Sequence, residues 1–199
     1  TIGSVVGTLT PTLVLVPRFG VKVTIVAAAL AFAGTGIFLL PRRMRLPLVA
    51  LIIVLVTLTI LRADRLPDGV IAEVESPYQL IRVVEEGSRR KLTFNEGAGF
   101  QSIYDPSARR SGLYTDYVGV TPLLRPYIDG HRLLILGLAG GSVARQYGDF
   151  LPADAKIDTV GVEVDPAVVA IAREYFALDA TGAEVRVRDA RIELLASDE

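Results

Sequence analysis

Leu133-Leu134-Ile135-Leu136-Gly137-Leu138-Ala139-Gly140-Gly141-Ser142 is the stretch on which the fold of this chain turns. Four consecutive apolar residues make a fully apolar strand, and they run directly into a glycine turn that opens a helix. The pattern then repeats. A strand over Arg132 to Leu136 is followed by a helix from about Ser142 to Phe150, a strand from Ile157 to Val164, a helix from Pro166 to Phe176 and a strand from Glu184 to Arg188. Strands alternating with helices predict right-handed crossovers and a parallel sheet. In the second helix Val168, Ile171, Ala172 and Tyr175 fall on one stripe, the side expected to be buried.

The residues at the carboxyl edge of this sheet suggest a ligand. Gly137 allows a sharp turn, and the small Ala139 and Gly141 let a ligand approach the backbone where the helix N–H groups point. The spacing is G-x-A-x-G, not the dinucleotide pattern G-x-G-x-x-G. It therefore suits a nucleoside without phosphates, such as an S-adenosyl compound, better than a pyrophosphate; the competing reading is a packing turn that binds nothing. Glu163 ends the second strand beside the turn, where a carboxylate can accept both hydroxyls of a ribose. Asp165 precedes Pro166 at the first helical position and reads as an N-cap. Asp189, followed by Ala190, sits at the next carboxyl edge, where it can accept the amino group of adenine, cap the helix that starts near Arg191, or do both.

Before this sheet the texture differs. Val70 to Val74, Tyr78 to Glu86 and Lys91 to Asn95 read as short strands, with turns at Gly87-Ser88 and Glu96-Gly97, and predict a small antiparallel sheet. Further toward the N-terminus, Val21 to Leu40 is almost wholly apolar and would rise roughly 30 Å as a helix, the thickness of a bilayer's hydrocarbon core. Leu46 to Leu61 is a second apolar run, closed by Arg45 and Arg62, which can snorkel to the interface. Pro41-Arg42-Arg43-Met44-Arg45 between them predicts a helical hairpin, and Thr1 to Val16 reads as the tail of a further helix in the same bundle.

Charge divides the chain at the same place. Up to Leu66 there are seven basic residues and one acid, although the 199 residues together carry a net charge of only −1. Beyond Leu66 acids predominate. A mean hydropathy of +0.44 with 51% hydrophobic residues excludes disorder and a basic nucleic-acid binder. With no cysteine and one histidine, His131, the chain lacks the means for a disulfide, a thiolate metal site or a histidine metal cluster. Three basic residues lie at the hairpin turn and four (Arg18, Lys22, Arg62, Arg65) at the opposite ends, so the positive-inside count favours a cytoplasmic soluble segment by one residue.

Several motifs in succession resemble those of the spermidine synthases, the polyamine aminopropyltransferases, and among them the membrane-fused forms with N-terminal transmembrane helices. They are Glu75-Ser76-Pro77-Tyr78-Gln79, Asn95-Glu96-Gly97-Ala98-Gly99-Phe100-Gln101, Tyr114-Thr115-Asp116-Tyr117, the glycine turn, Val162-Glu163-Val164-Asp165 and Asp189-Ala190-Arg191. The resemblance runs from Glu75 to the end of the chain, and the order of the motifs makes it more specific than any one of them. It implies an α/β fold: a partial Rossmann-like parallel sheet of the S-adenosylmethionine-dependent transferase type, preceded by a small antiparallel β domain and transmembrane helices. The corresponding boundaries are 1–66 for the helices, 67–129 for the β domain and 130–199 for the adenosyl-binding domain.

The implied reaction passes an aminopropyl group from decarboxylated S-adenosylmethionine to a diamine such as putrescine, with no metal. By the same resemblance Gln79 and Glu163 hold the ribose and methylthio end, Asp189 and Ala190 the adenine, while Gln101, Tyr114 and Asp116 belong to the diamine side. The expected partners are that diamine and a lipid bilayer, with no nucleic acid; a homo-oligomer is compatible with the pattern. The expected location is the cell membrane, multi-pass, with the soluble domain in the cytoplasm. The sequence departs from the family pattern at Gly140, where an Asp is usual, and at Thr115, where a His is frequent. These departures admit intact S-adenosylmethionine, and with it a methyltransferase of the same fold; a membrane transporter or sensor that binds an adenosyl compound or polyamine is the non-enzymatic alternative. The family's catalytic aspartate follows a fourth parallel strand and is expected after Glu199, so the chain is expected to bind an adenosyl ligand without turning it over.

Overall fold

The computed structural model describes residues 2–63, 66–95, 99–118, 131–150 and 157–196. The turn expected at Glu96-Gly97 lies outside them. Two compact units divide the chain, one formed by Thr1–Pro67 with Glu75–Pro77 and the other by Asp68–Val74 with Tyr78–Glu199.

The first unit is helical. α1 (Ile2–Thr10) passes through a π-helical turn at Pro11–Leu15 into α2 (Val16–Leu39), and α3 (Arg42–Ala63) follows. A proline inside a helix removes a donor and crowds the preceding turn, and the wider π turn at Pro11 accommodates it. Gly20 interrupts α2 with φ 78° and ψ 167°, a conformation that favours glycine. Leu40 is extended and ends α2, and Arg45 Nε donates to the Leu40 carbonyl at 3.0 Å. The hydroxyls of Thr8, Thr24 and Thr35 bond back to carbonyls of their own helices, so these polar atoms need no water. Large apolar side chains, among them Leu13, Phe19, Ile25, Phe32, Leu46 and Ile53, are exposed.

Gly3–Val21 is the one helical stretch, among the described residues, long and apolar enough to cross a membrane by length and composition, and Val23–Ile37 is a shorter apolar helix. The expectation had placed a span over Val21 to Leu40. The break at Gly20 falls in the expected gap between Val16 and Val21, but the stretch of spanning length, Gly3–Val21, runs through it, and within the expected span the apolar helix is the shorter Val23–Ile37.

The second unit contains two sheets. β1 (Val70–Glu75), β2 (Leu80–Glu86), β3 (Arg89–Phe94) and β4 (Phe100–Tyr104) form a four-stranded sheet in that order. β2 and β3 are antiparallel in the register Val83↔Leu92, and β3 and β4 are antiparallel with a bulge at Leu92/Thr93. The fourth strand, β4, goes beyond the sequence expectation. After the short helix α4 (Thr115–Val118), β5 (His131–Leu136), β6 (Ile157–Glu163) and β7 (Glu184–Val187) make a parallel sheet in the order 5-6-7, with α5 (Ser142–Phe150) and α6 (Pro166–Phe176) between them and α7 (Ala190–Ala196) last.

α6 holds the unit together because it buries two faces. Val168, Ile171 and Phe176 pack with Ile81, Val83 and Leu92 of the antiparallel sheet, while Val169 and Ala172 pack with Ile135, Leu138, Ala144 and Leu178. Of the expected stripe, Val168, Ile171 and Ala172 are buried, and Tyr175 is half-buried. Arg145, on α5, donates to the Phe176 and Ala177 carbonyls at the C-terminus of α6 and stacks on the Tyr104 ring at 4.6 Å. Arg145 thereby ties α5 to the end of α6 and to β4 of the antiparallel sheet.

Candidate functional site: the glycine turn and its acidic edge

β5 ends at Leu136, and the chain then alternates sharply. Gly137, Ala139 and Gly141 all have positive φ, at 83°, 48° and 78°. For Ala139 this region is sterically unfavourable and needs support from its surroundings. Glu163 supplies it. Its Oε2 accepts the Ala139 N–H at 3.0 Å while its Oε1 accepts the Asp165 N–H at 3.2 Å, so one carboxylate clamps the turn to the start of α6. Glu163 is buried, with 7% of its surface exposed. It stands at the carboxyl edge as the sequence predicts, and it also has a structural role that the sequence did not suggest.

The other amides of the turn are bonded too. Gly137 N–H and Leu138 N–H both donate to the Val162 carbonyl, at 2.9 and 3.1 Å, and Gly141 N–H to the Leu138 carbonyl at 3.0 Å. Gly140 N–H donates to Ser102 Oγ of β4 at 2.9 Å. A side chain at position 140 has no room, since a Cβ there would lie 2.7 Å from the Ser102 Cβ. β4 continues over the helix start: the Ser142 hydroxyl accepts from Ile103 N–H at 3.2 Å and donates to the Ile103 carbonyl at 3.1 Å. The five N–H groups from Gly137 to Gly141 are thus all engaged within the protein. The donors that the sequence reading offers to a ligand belong to the helix start itself, and the turn before it is tied down by β4 and Glu163.

Asp165 is fully buried and caps α6, accepting the Ala167 N–H at 2.9 Å, the role its position before Pro166 predicts. Asp189 is exposed; its Oδ1 accepts the Arg191 N–H at 2.7 Å and so caps α7, whose first residue is Ala190. Arg188 N–H donates to the Glu163 carbonyl at 3.0 Å, which brings the ends of β6 and β7 together and sets Asp189 at the same edge as Glu163. The position of α7 depends on Glu193, a residue the sequence reading passed over. It is buried and pairs with Arg186 and, at 3.0 Å, with Arg188; the Arg186 hydrogen bond, foremost among the causes, holds its carboxyl below the ordinary value.

Gln79, expected at the ribose and methylthio end, and the residues of the expected diamine side stand in different surroundings. Gln79 is half-buried just before β2, Gln101 is exposed on β4 and Tyr114 is 62% exposed just before α4. Asp116 behaves differently from all three. Its Oδ1 accepts from Ser111 N–H at 2.9 Å, Ser111 Oγ at 2.8 Å and Gln146 Nε2 at 2.5 Å, and its Oδ2 from Gly112 N–H at 2.8 Å. Burial raises its pKa, but these hydrogen bonds outweigh burial and leave it below the ordinary 3.8. Such a carboxylate is a poor proton acceptor and a good anchor for the segment that carries Tyr114. A carboxyl whose pKa is depressed by folding stabilises the protein above its unfolded pKa, and that contribution disappears as pH falls through the folded value. In urea titrations, the stability gap between the protein and Asp116→Asn is therefore expected to be constant above about pH 5 and to narrow below about pH 4; a gap independent of pH would show that Asp116 is not held in this way.

These features define an α/β protein with an antiparallel sheet, a parallel three-stranded sheet and carboxylates at the carboxyl edge beside a glycine turn. Known proteins take the identification further. The chain is 33% identical over 104 residues to the "Probable polyamine aminopropyl transferase" of Bifidobacterium longum (strain NCC 2705), covering 52% of this chain and 22% of that protein. It is 34% identical over 131 residues to the "Polyamine aminopropyltransferase" of Vibrio vulnificus (strain CMCP6), covering 62% of this chain and 42% of that protein. No protein-family model matches the chain. The resemblance to polyamine aminopropyltransferases, which are transferases, is therefore shown. The chain spans less than half the length of either relative.

Proposed function

We propose that the chain provides the donor side of a membrane-associated polyamine aminopropyltransferase, with a Rossmann-like domain that binds decarboxylated S-adenosylmethionine and an acceptor that is a diamine such as putrescine. The observation that carries this reading is the acid edge of the parallel sheet, Glu163 beside the glycine turn and Asp189 one strand away, in a chain similar to two proteins named for aminopropyl transfer. Glu163 has lone pairs beyond the two it gives to backbone amides and can accept ribose hydroxyls, with Gln79 at the ribose and methylthio end. Asp189 and Ala190 meet the adenine. Gln101 and Tyr114 line the diamine path, and Asp116 positions the segment that bears Tyr114.

The reaction is a direct displacement. The neutral amine of the diamine forms a bond to the methylene next to the sulfonium, the carbon–sulfur bond breaks with its electron pair going to sulfur, and methylthioadenosine leaves. The positive charge thus passes from sulfur to the new secondary ammonium, which gives up its proton to a carboxylate base or to water. Chemistry of this kind depends on holding the two reactants in line, which is what a rigid acid edge and a fixed turn provide. Purified chain is expected to retain radiolabelled decarboxylated S-adenosylmethionine and to release it on addition of methylthioadenosine; no retention would defeat the reading.

The membrane part of the proposal, more than one span in the first unit with the second unit in the cytoplasm, rests on outward-facing apolar side chains and on hydroxyls satisfied within their own helices. Alkaline carbonate is expected to leave the protein in the membrane pellet, and its recovery in the soluble fraction would contradict membrane integration. Orientation is open to a separate check. The chain has no cysteine and Ser107 is exposed, so Ser107→Cys carries one reactive thiol. It is expected to resist membrane-impermeant maleimide in intact cells, and labelling from outside would reverse the orientation.

A further inference from the structure

A surface helix ordinarily keeps its place by burying an apolar stripe. α7 does not. Its large apolar side chains, Ile192, Leu194 and Leu195, are exposed, and its one buried residue is an acid, Glu193. Among the described residues, neither buried apolar cluster of the second unit includes a member of α7. The helix is fastened by charge instead. Glu193 Oε1 accepts from Arg186, within β7, and its Oε2 accepts at 3.0 Å from Arg188, just beyond the end of that strand. The Glu193 side chain is 4% exposed, whereas those of Arg186 and Arg188 are 41% and 43% exposed, so the acid is inside and both cations reach water.

The seating of α7 matters because of what its start carries. Asp189 caps the helix through the Arg191 N–H at 2.7 Å, Ala190 is its first residue, and Glu193 N–H closes the first turn on the Asp189 carbonyl at 3.1 Å. Arg188 joins this turn to the ribose side: its own N–H donates to the Glu163 carbonyl at 3.0 Å while its guanidinium holds Glu193. The residues assigned to the base are thus fixed relative to Glu163 through one arginine, with Glu193 at its far end. Removing the Glu193 charge would strand no buried cation and would leave the apolar clusters as they are, so the change falls on the position of α7 more than on the fold. We infer that Glu193 is a positioning residue for base recognition: by pairing with Arg186 and Arg188 it seats the first turn of α7 and so holds Asp189 and Ala190 where the amino group of adenine is read. This inference rests on the adenosyl-binding reading above and adds to it a residue that acts on the ligand only through its neighbours.

The test compares methylthioadenosine with methylthioinosine on the full 199-residue chain in detergent by calorimetric titration. The two differ at the base, where the amino donor of adenine is replaced by a carbonyl oxygen that a carboxylate repels. The unaltered chain is expected to bind methylthioadenosine more tightly by about tenfold or more, since a site built around a donor rejects the analogue that lacks it. In Glu193→Gln, which keeps the shape and removes the charge, that ratio should narrow by roughly threefold or more while the midpoint of urea unfolding stays close to that of the unaltered chain. Replacing Arg186 and Arg188 together by Gln should narrow it likewise, and this variant decides should Glu193→Gln not fold. An unchanged ratio in the folded variants, with or without a loss of stability, would show a merely structural role and overturn the inference. Equal binding of the two nucleosides by the unaltered chain would overturn it together with the role of Asp189, and would leave the ribose site at Glu163 standing. Failure of both nucleosides to bind the unaltered chain would overturn the adenosyl reading and this inference with it.

Discussion

Replacing Glu163 by alanine is expected to reduce the affinity for methylthioadenosine by roughly tenfold to a hundredfold and to lower stability at the same time. Hydrogen bonds from a ribose to a carboxylate contribute about 1.5–3 kcal/mol, and each 1.4 kcal/mol is a factor of ten. The same substitution strips partners from the Ala139 and Asp165 amides, bonded at 3.0 and 3.2 Å. Leaving buried donors unsatisfied costs about 1–3 kcal/mol each, and Ala139, with φ at 48°, then has less to hold it in its unfavourable conformation. Asp165 provides the contrast. It is two residues away and also buried, but its carboxylate caps α6, so Asp165→Ala should cost about 1 kcal/mol or more of stability with little change in affinity. Glu163→Gln separates the two roles of Glu163, since the amide keeps one acceptor oxygen and loses the charge. Calorimetric titration alongside urea denaturation reads both effects, and equal losses of affinity in Glu163→Ala and Asp165→Ala would show the two acids to be wrongly assigned.

The second large effect is on folding. Phe176→Ala is expected to destabilise the second unit by about 3–5 kcal/mol, the usual cost of emptying a fully buried aromatic site. Phe176 has no exposed surface and packs with Ile81, Val83, Leu92, Val168 and Ile171, so the loss falls where the antiparallel sheet meets α6. It also stands behind the glycine turn, its Cδ1 lying 3.1 Å from the position a Cβ at Gly140 would take. Ligand affinity should therefore weaken together with stability. A loss below about 1 kcal/mol would mean that this cluster is not the core of the unit.

Much of the second unit was legible because its signals are local. The helices read from Ser142 to Phe150 and from Pro166 to Phe176 have those ends in the structure, as expected from a glycine turn before one and an Asp-Pro cap before the other. β6 ends at Glu163, one residue before the reading. What escaped detection depends on partners distant in the chain. β4 is short, and Ser102 at its centre is a polar residue at a buried position, which blurs the apolar alternation; its burial is explained by Gly140, 38 residues on. Asp116 lay in a motif that suggested substrate, yet its four hydrogen bonds come from Ser111, Gly112 and Gln146, and Gln146 is 30 residues away on a different helix. The tied-down turn escaped for the same reason: glycine spacing reports what the backbone can do, whereas the state of its amides is decided by Val162, Glu163 and Ser102. In the first unit the apolar composition and the break between Val16 and Val21 were plain from the sequence, and Gly20 with its positive φ falls in that break; the stretch of spanning length was not, because Gly3–Val21 runs across it.

The structure of the chain with methylthioadenosine bound tests the central claim most directly. The account predicts the nucleoside at the carboxyl edge of β5, β6 and β7, with the ribose hydroxyls within hydrogen-bonding distance of Glu163, the adenine against Asp189 and Ala190, and the methylthio group beside the glycine turn without a bond to its amides. A nucleoside bound elsewhere at full occupancy, with Glu163 touching only Ala139 and Asp165, would contradict it.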